Sequence, residues 1–294
     1  MAKPGVNRYT VYTLIGPFVA FFCVFTLWPM LYNIYLSCHW FDLPTGDMDW
    51  VGLDNFRALA HDATFAQAMR NTLRYLLLVP LLQVGALGLA LLVNQPLRGA
   101  TFFRAAYYVP VLIAVSIAGV VWQQIFHYDG VLNAVLDSVE LLPDSQPDWL
   151  GNPATALYAV TTFAFWKHAG YYMVLYLAGL QTVPRELHEA ATLDGANALQ
   201  RFRHVTLPTL QPYLLLCTVL STITALKVFQ EVLVLTKGSR ETLTVLYYTY
   251  ATAFSGQNLG LAGAAALILT LACLLLAALQ FRLFGERLLQ ARVQ

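Results

Sequence analysis

A few charged and hydrogen-bonding side chains stand inside apolar stretches, where their chemistry has to be explained. Lys167 and His168 interrupt the apolar run Leu157–Leu180, with Tyr171 and Tyr172 one turn further on. At helical spacing Lys167, His168 and Tyr171 share a face. In a second run Ser221, Thr224 and Glu231 approximate a polar stripe, with Lys227 beside it. Lys227 and Glu231 are four residues apart and able to pair, in the less favourable order for a helix. Trp122 and Gln123 lie near the end of a third run. A few placed polar groups among aromatic rings suit the recognition of a solute with hydroxyls and apolar faces. Bond-making chemistry has less support: neither G-x-S-x-G nor H-E-x-x-H occurs. The cysteines Cys23, Cys38, Cys217 and Cys273 are scattered in or beside apolar stretches, which fits neither a disulfide framework nor a zinc site. No metal site is expected. The G-x-x-x-x-G-K-[ST] phosphate loop is also missing, so this chain is not expected to bind ATP itself.

The elements that must carry these groups are membrane helices. The chain has 294 residues, 58% hydrophobic and 11% charged, where a soluble domain carries about a quarter charged residues. A water-soluble fold of this length could not hide so much apolar surface. The formal net charge of +1 gives no electrostatic support for nucleic-acid binding. Six segments approach the roughly 20 apolar residues a span needs: Val11–Leu36, Thr72–Val93, Ala105–Phe126, Leu157–Leu180, Leu210–Leu235 and Leu259–Phe281. Pro29, Pro80 and Pro110 fall within them and are tolerated where neighbouring helices satisfy the freed carbonyls. Gly260, Gly263 and the following alanines give the last segment a smooth surface for close packing. Lys3 and Arg8 precede a run too long for a signal peptide, and a retained first helix is expected.

Charge sets the expected orientation. Lys3, Arg8, Arg98, Arg104, Arg185, Arg201, Arg203, Arg282, Arg287 and Arg292 all fall on one side. The first loop has Asp42, Asp47, Asp49, Asp54 and Asp62 against Arg57 and Arg70. The third has Asp129, Asp137, Glu140, Asp144 and Asp148 with no Lys or Arg. The positive-inside rule therefore places both termini in the cytoplasm, against one contrary vote from Lys237 and Arg240. A short helix capped by Asp54 or Asn55 is expected in the first loop. Lys167 and His168 lie about ten residues into their run, roughly 15 Å at helical rise and near the midplane. Charges at that depth usually face a cavity. Lys227 and Glu231 lie nearer a boundary, where snorkelling is an equal account.

The most informative segment is the cytoplasmic loop Pro184–Pro208. Pro184 suits a first helical turn, with Glu186 and Glu189 near its positive end. Gly195 can end that helix in the left-handed conformation, and Asn197 can start a second. Ala190, Ala191, Gly195 and Ala196 leave room for another protein's surface. Glu189-Ala190-Ala191, Asp194-Gly195-Ala196, Phe202 and Leu207-Pro208 resemble the EAA loop of ABC-importer permeases. In that family the loop docks into a cleft on the ATP-hydrolysing subunit. The resemblance extends to Val51-Gly52-Leu53-Asp54-Asn55-Phe56, Asn71-Thr72-Leu73, Trp122 with Gly130-Val131-Leu132-Asn133, Ala178-Gly179-Leu180-Gln181 and Phe229-Gln230-Glu231-Val232. Those segments are similar to the maltose and glycerol-phosphate branch. The chain departs from it at Lys237-Gly238-Ser239-Arg240, where many relatives carry a glycine-rich stretch ending in proline.

The resemblance implies an all-α, polytopic membrane protein of the type I ABC-importer permease fold, with six transmembrane helices in one domain over residues 1–294. It implies a bacterial inner-membrane location, a second permease, two ATP-binding subunits and an extracytoplasmic solute-binding protein. ATP and Mg are then used by the partner ATPase, with no cofactor in this chain. The solute expected is a carbohydrate or glycerol-phosphate type. Trp122, Gln123, Lys167, His168, Tyr171, Ser221, Thr224, Lys227 and Glu231 are the expected passage residues, with orientation of the partner permease an alternative role for Lys167. The rival reading, an ion-coupled secondary transporter, expects inverted repeats and a midplane acid. Neither is apparent in the sequence.

Overall fold

The computed structural model describes residues 8–95, 98–141, 147–239 and 241–290. Lys3, Asp144, Arg240 and Arg292 of the charge pattern lie outside the described residues, as do the side chains of Arg8 and Arg287. In chain order the elements are α1 (Arg8–Phe22), α2 (Trp28–Ser37), β1 (His39–Phe41), β2 (Met48–Trp50), α3 (Asp54–His61), α4 (Ala63–Tyr75), α5 (Leu78–Val93), α6 (Ala100–Leu112), α7 (Val115–Ile125) and α8 (Val131–Ser138). They continue as α9 (Ala156–Leu180), α10 (Arg185–Leu193), α11 (Ala198–Arg201), α12 (Leu207–Thr209), α13 (Gln211–Leu226), α14 (Gln230–Leu235), α15 (Val245–Phe254) and α16 (Leu259–Gln290). The chain divides into two compact units, residues 1–62 with 249–268 and residues 63–248 with 269–294.

In the first unit α1 and α2 are joined by a π-helical turn, Cys23–Leu27. Pro29 follows, and the wider turn accommodates a ring that would otherwise strike the preceding carbonyls. β1 and β2 form an antiparallel hairpin with His39 opposite Trp50 and Phe41 opposite Met48. The expected cap of α3 is not formed. Asp54 is the first helical residue and binds Arg57 at 2.8 Å. Asn55 is buried and donates its amide to the carbonyls of Ser37 (3.0 Å) and His39 (2.8 Å), which removes it from capping. A side chain on Gly260 would meet the His39 carbonyl at 1.9 Å, and one on Gly263 the Asn33 side chain at 3.1 Å. Backbone approach at Gly260 is therefore close enough to require glycine, while at Gly263 a side chain would only crowd Asn33.

The second unit carries the residues expected to line the passage and to form the coupling loop. Leu78, Leu82, Ala86 and Ala90 recur every fourth residue along α5, a single helical stripe. That stripe packs on Tyr172, Met173 and Tyr176 of α9. A second cluster joins Tyr75, Ala118, Val160, Phe163, Val228 and Val232. On the other side of α9 the backbone itself touches α6: a side chain on Gly170 would lie 2.0 Å from the Tyr107 carbonyl.

Among the described residues, four helical runs are long and apolar enough to cross a membrane: Tyr12–Ser37, Ala63–Val93, Gln211–Leu235 and Leu259–Phe284. The α6–α7 pair makes a fifth if it counts as one span. It is bent by 100°, so the span expected over Ala105–Phe126 is made of two helices rather than one. Ile113 and Ala114 are extended, with ψ of 133° and 137°. The 25-residue α9 is not among the four. It carries Lys167 and His168, and more than half of its residues are buried. A helix enclosed by protein need not be as apolar as one facing lipid.

Candidate functional site

The loop between α9 and α13 is built from local interactions. Pro184 (ψ 136°) stands just before α10 rather than inside its first turn, and Glu186 occupies that turn. The amides of Asp194, Gly195 and Ala196 close back onto the carbonyls of Ala190, Thr192 and Ala191 at 3.0, 3.0 and 2.9 Å. Gly195 has φ +77°, the left-handed region that side chains disfavour, with open space where a Cβ would stand. Asn197 then forms a capping box with Gln200: its side chain accepts from the Gln200 amide at 2.9 Å, and Gln200 accepts from the Asn197 amide at 2.8 Å. Arg201 ties the two short helices by donating to the Thr192 hydroxyl at 2.9 Å. Nine residues separate these partners, so the sequence carries no sign of the tie. A π-helical turn, Phe202–Thr206, leads through α12 to the buried Leu210.

No residue of α10 or α11 is buried. Glu189, Ala190, Asp194, Gly195 and Pro208 are exposed, while Ala191, Ala196, Phe202 and Leu207 are half-buried. His188, Glu189, Thr192, Leu193 and Arg201 line an open concavity of ≈690 Å3.

Within the helices the polar residues separate into two groups. His168, Thr224, Lys227 and Glu231 meet at one cavity of ≈350 Å3, shared with Gln230 and Phe229. His168 Nε2 lies 3.1 Å from Glu231 Oε1. The pairing of Lys227 with Glu231 is corrected by this geometry. Residues 227–229 leave the helix between α13 and α14, with Phe229 at φ −143°, so the four-residue helical spacing no longer applies. Tyr171 is 39% exposed, on the residue before the fully buried Tyr172.

Lys167, Trp122, Gln123 and Ser221 are not brought to that cavity. Lys167 is buried, and its ammonium donates to the carbonyls of Pro110 (2.6 Å), Val111 (3.1 Å) and Ile113. Trp122 packs on Phe126, Phe163 and Trp166 at centroid distances of 5.1, 5.7 and 5.4 Å. Gln123 donates to the Val234 carbonyl at 2.6 Å, joining α7 to α14.

Ser221 belongs to a node that sequence reasoning misses. Gln83 of α5 donates to the Ser221 hydroxyl at 2.7 Å and to the Cys217 carbonyl at 3.3 Å, and accepts from the Tyr176 hydroxyl. A lone glutamine in an apolar stretch is the signal that could have found it. Asn71 and Thr72 bind the segment after the fifth run: Asn71 donates to the Leu243 carbonyl at 3.0 Å, and Thr72 accepts from the Val245 amide at 2.9 Å. In the departure at Lys237–Ser239, Lys237 and Gly238 take φ +51° and +70°, and the Lys237 carbonyl accepts from Tyr247 at 2.7 Å.

Long apolar helices, a buried polar interior and an exposed helix pair fit a membrane-embedded permease subunit. The chain belongs to the family of the binding-protein-dependent transport system inner membrane component, whose model matches residues 67–290. It is 36% identical over 265 residues to the probable ABC transporter permease protein YesP of Bacillus subtilis (strain 168), covering 88% of this chain and 84% of that one. It is 32% identical to the arabinooligosaccharides transport system permease protein AraP of the same organism, covering 94% and 88%. The sn-glycerol-3-phosphate transport system permease protein UgpA of Agrobacterium fabrum is 31% identical, with 96% of each chain covered. Among solved structures, a bacterial ABC transporter involved in the import of the acidic polysaccharide alginate matches with TM-score 0.79 and 24% identity, over 95% of this chain and 96% of that chain. That likeness concerns the fold.

Proposed function

We propose that this chain is one half of a permease heterodimer that imports a carbohydrate-type solute, with two ATP-binding subunits on its cytoplasmic side and a solute-binding protein outside. ATP and Mg belong to the partner ATPase. The Arg-rich loops favour cytoplasmic termini, and six spans result if α9 is the fourth and the bent α6–α7 pair the third. The solute class follows from relatives whose names specify arabinooligosaccharides, sn-glycerol-3-phosphate and lactose. The passage runs beside the His168–Glu231 cavity, with Thr224, Lys227 and Tyr171 nearby and Lys167, Trp122, Gln123 and Ser221 forming its frame.

The observation that carries this reading is the coupling loop. Backbone bonds at Asp194–Ala196 close the end of α10 and a capping box starts α11, yet the two helices bury nothing and leave Leu187, Leu193 and Leu199 exposed at 47%, 89% and 73%. A rigid surface with exposed apolar side chains suits a partner's cleft. Glu189, Ala190, Ala191, Asp194, Gly195 and Ala196 supply the contact face, with Phe202, Leu207 and Pro208 joining it to α13.

The test uses the transporter purified through a tag on this chain. Gly195→Val forces a β-branched residue into φ +77°, at a cost of roughly 1–2 kcal/mol. It is expected to lower retention of the ATPase and to abolish ATP-driven uptake while the chain stays in the membrane. Glu189→Ala is expected to do the same more mildly. Normal retention and uptake in both variants would remove the coupling assignment.

A further inference from the structure

The third span breaks where its own sequence gives little reason to. Pro110 lies inside α6, three residues before the break, while Val111-Leu112-Ile113-Ala114-Val115-Ser116 contains neither glycine nor proline. Pro110 frees carbonyls a turn earlier in the helix, not those at the bend. In a continuous helix the carbonyls of Pro110, Val111 and Ile113 would accept from the amides four residues on. In the broken form those partners are gone, and each freed carbonyl needs another donor. All three carbonyls are instead bound by one ammonium, that of Lys167 on α9, 54 or more residues away in sequence. Lys167 is 6% exposed, and neither of the ion pairs among the described residues includes it. A buried cation and three orphaned carbonyls are each costly alone and satisfy one another. Gly170, one turn along the same helix, lets the α9 backbone reach the Tyr107 carbonyl and so brings the lysine within range.

We infer that Lys167 is a positioning residue that holds the third span in its broken form. The bend sets a cavity of ≈540 Å3 between the break, residues Val111–Ser116, and Gln230, Leu233 and Val234 of α14. It also sets the direction of α7, whose Gln123 holds the Val234 carbonyl. Without the ammonium, Ile113 and Ala114 regain helical hydrogen bonds by straightening.

The geometry supplies a specific rescue. Ala114 has φ −58° and is preceded by an extended Ile113, which is the conformation proline and its preceding residue prefer. Ala114→Pro therefore fits the break and disfavours the straight helix. Spin labels at Thr101 and Gln124, both exposed, report the difference. At 1.5 Å rise per residue they are about 35 Å apart in a straight helix and about 23 Å apart with the 100° bend.

The measurement is pulsed electron–electron resonance on the transporter purified from its own membranes through a tag on this chain. Cys23, Cys38, Cys217 and Cys273 are replaced by alanine, and the otherwise unaltered chain serves as reference. Lys167→Met is expected to shift the distance from about 23 toward about 35 Å. Lys167→Arg is expected to retain the short distance, and Lys167→Met with Ala114→Pro to recover it. If Lys167→Met prevents assembly, recovery of both assembly and the short distance by Ala114→Pro gives the same support. A short distance unchanged in Lys167→Met overturns the inference, and so does a double variant that fails to recover. Either failure leaves the permease assignment standing, since ATPase retention through the coupling loop is a separate readout.

Discussion

The loop Arg185–Arg201 and the helix Ala156–Leu180 adjoin in sequence but satisfy their polar groups in opposite ways. In the loop, Asn197 binds Gln200, and Gly195 and Ala196 close onto carbonyls three and five residues back. Apart from the Arg201–Thr192 tie, each partner lies within one or two turns. In the helix, Lys167 reaches Pro110 to Ile113, His168 reaches Glu231, Tyr172 meets Thr224 at 3.2 Å and Tyr176 meets Gln83. Those partners lie 52 to 93 residues away. The difference follows from solvent. Water beside the loop satisfies whatever the chain leaves open. A buried helix has no such reserve: Thr161 and Thr162 turn back onto carbonyls of the helix itself, and its other polar contacts reach into other segments. The loop is thus a rigid piece able to be carried as a unit. The helix is a hub whose polar contacts hold the third, fifth and second runs in place.

The hub is where single changes should matter most. Gly170→Val places a side chain against the Tyr107 carbonyl, 2.0 Å from its Cβ. Separating α9 from α6 to relieve this should cost about 3 kcal/mol. The expected result is loss of monodisperse protein or a much lower melting temperature in detergent. A melting temperature like that of the unaltered chain would show that α9 is not held by backbone contact.

The His168–Glu231 pair allows a finer comparison, because its members differ in exposure. The side chain of Glu231 is 8% exposed and that of His168 27%. His168→Ala strands the more buried partner and should cost about 2–3 kcal/mol, whereas Glu231→Gln leaves an imidazole that water reaches and should cost about 1 kcal/mol. Thermal melting of both variants and of the double variant reads the coupling. Equal costs would mean that the pair is as wet as the loop.

The smallest effect belongs to the loop. Asn197→Ala removes the capping box and should cost about 1 kcal/mol, confined to α11. Faster amide exchange at Ala198–Arg201 with unchanged melting of the whole chain is the expected reading. A global loss of stability would show that the loop is part of the hub after all.

The two regions also differ in how much of each is legible in the amino-acid sequence. The end of α10 at Gly195 and the start of α11 at Asn197 follow from residue types whose preferences act within one turn. The apolar runs at Tyr12–Ser37, Gln211–Leu235 and Leu259–Phe284 follow from composition over about 20 residues. Lys167, His168 and Glu231 stand out as costly residues in apolar surroundings, but their types say nothing of their partners. Lys227 stands four residues from Glu231, yet the break at 227–229 undoes that spacing and His168 takes the carboxylate. Asn55 has the side chain of a helix cap and instead binds the carbonyls of Ser37 and His39. The bend at Ile113–Ala114 has no local signal, because the group that satisfies its carbonyls lies on another helix. Local preferences act over a turn and hold where, as at Gly195 and Asn197, no distant partner competes. Which distant donor meets which carbonyl depends on how helices are rotated and set against one another, and only the folded chain decides that.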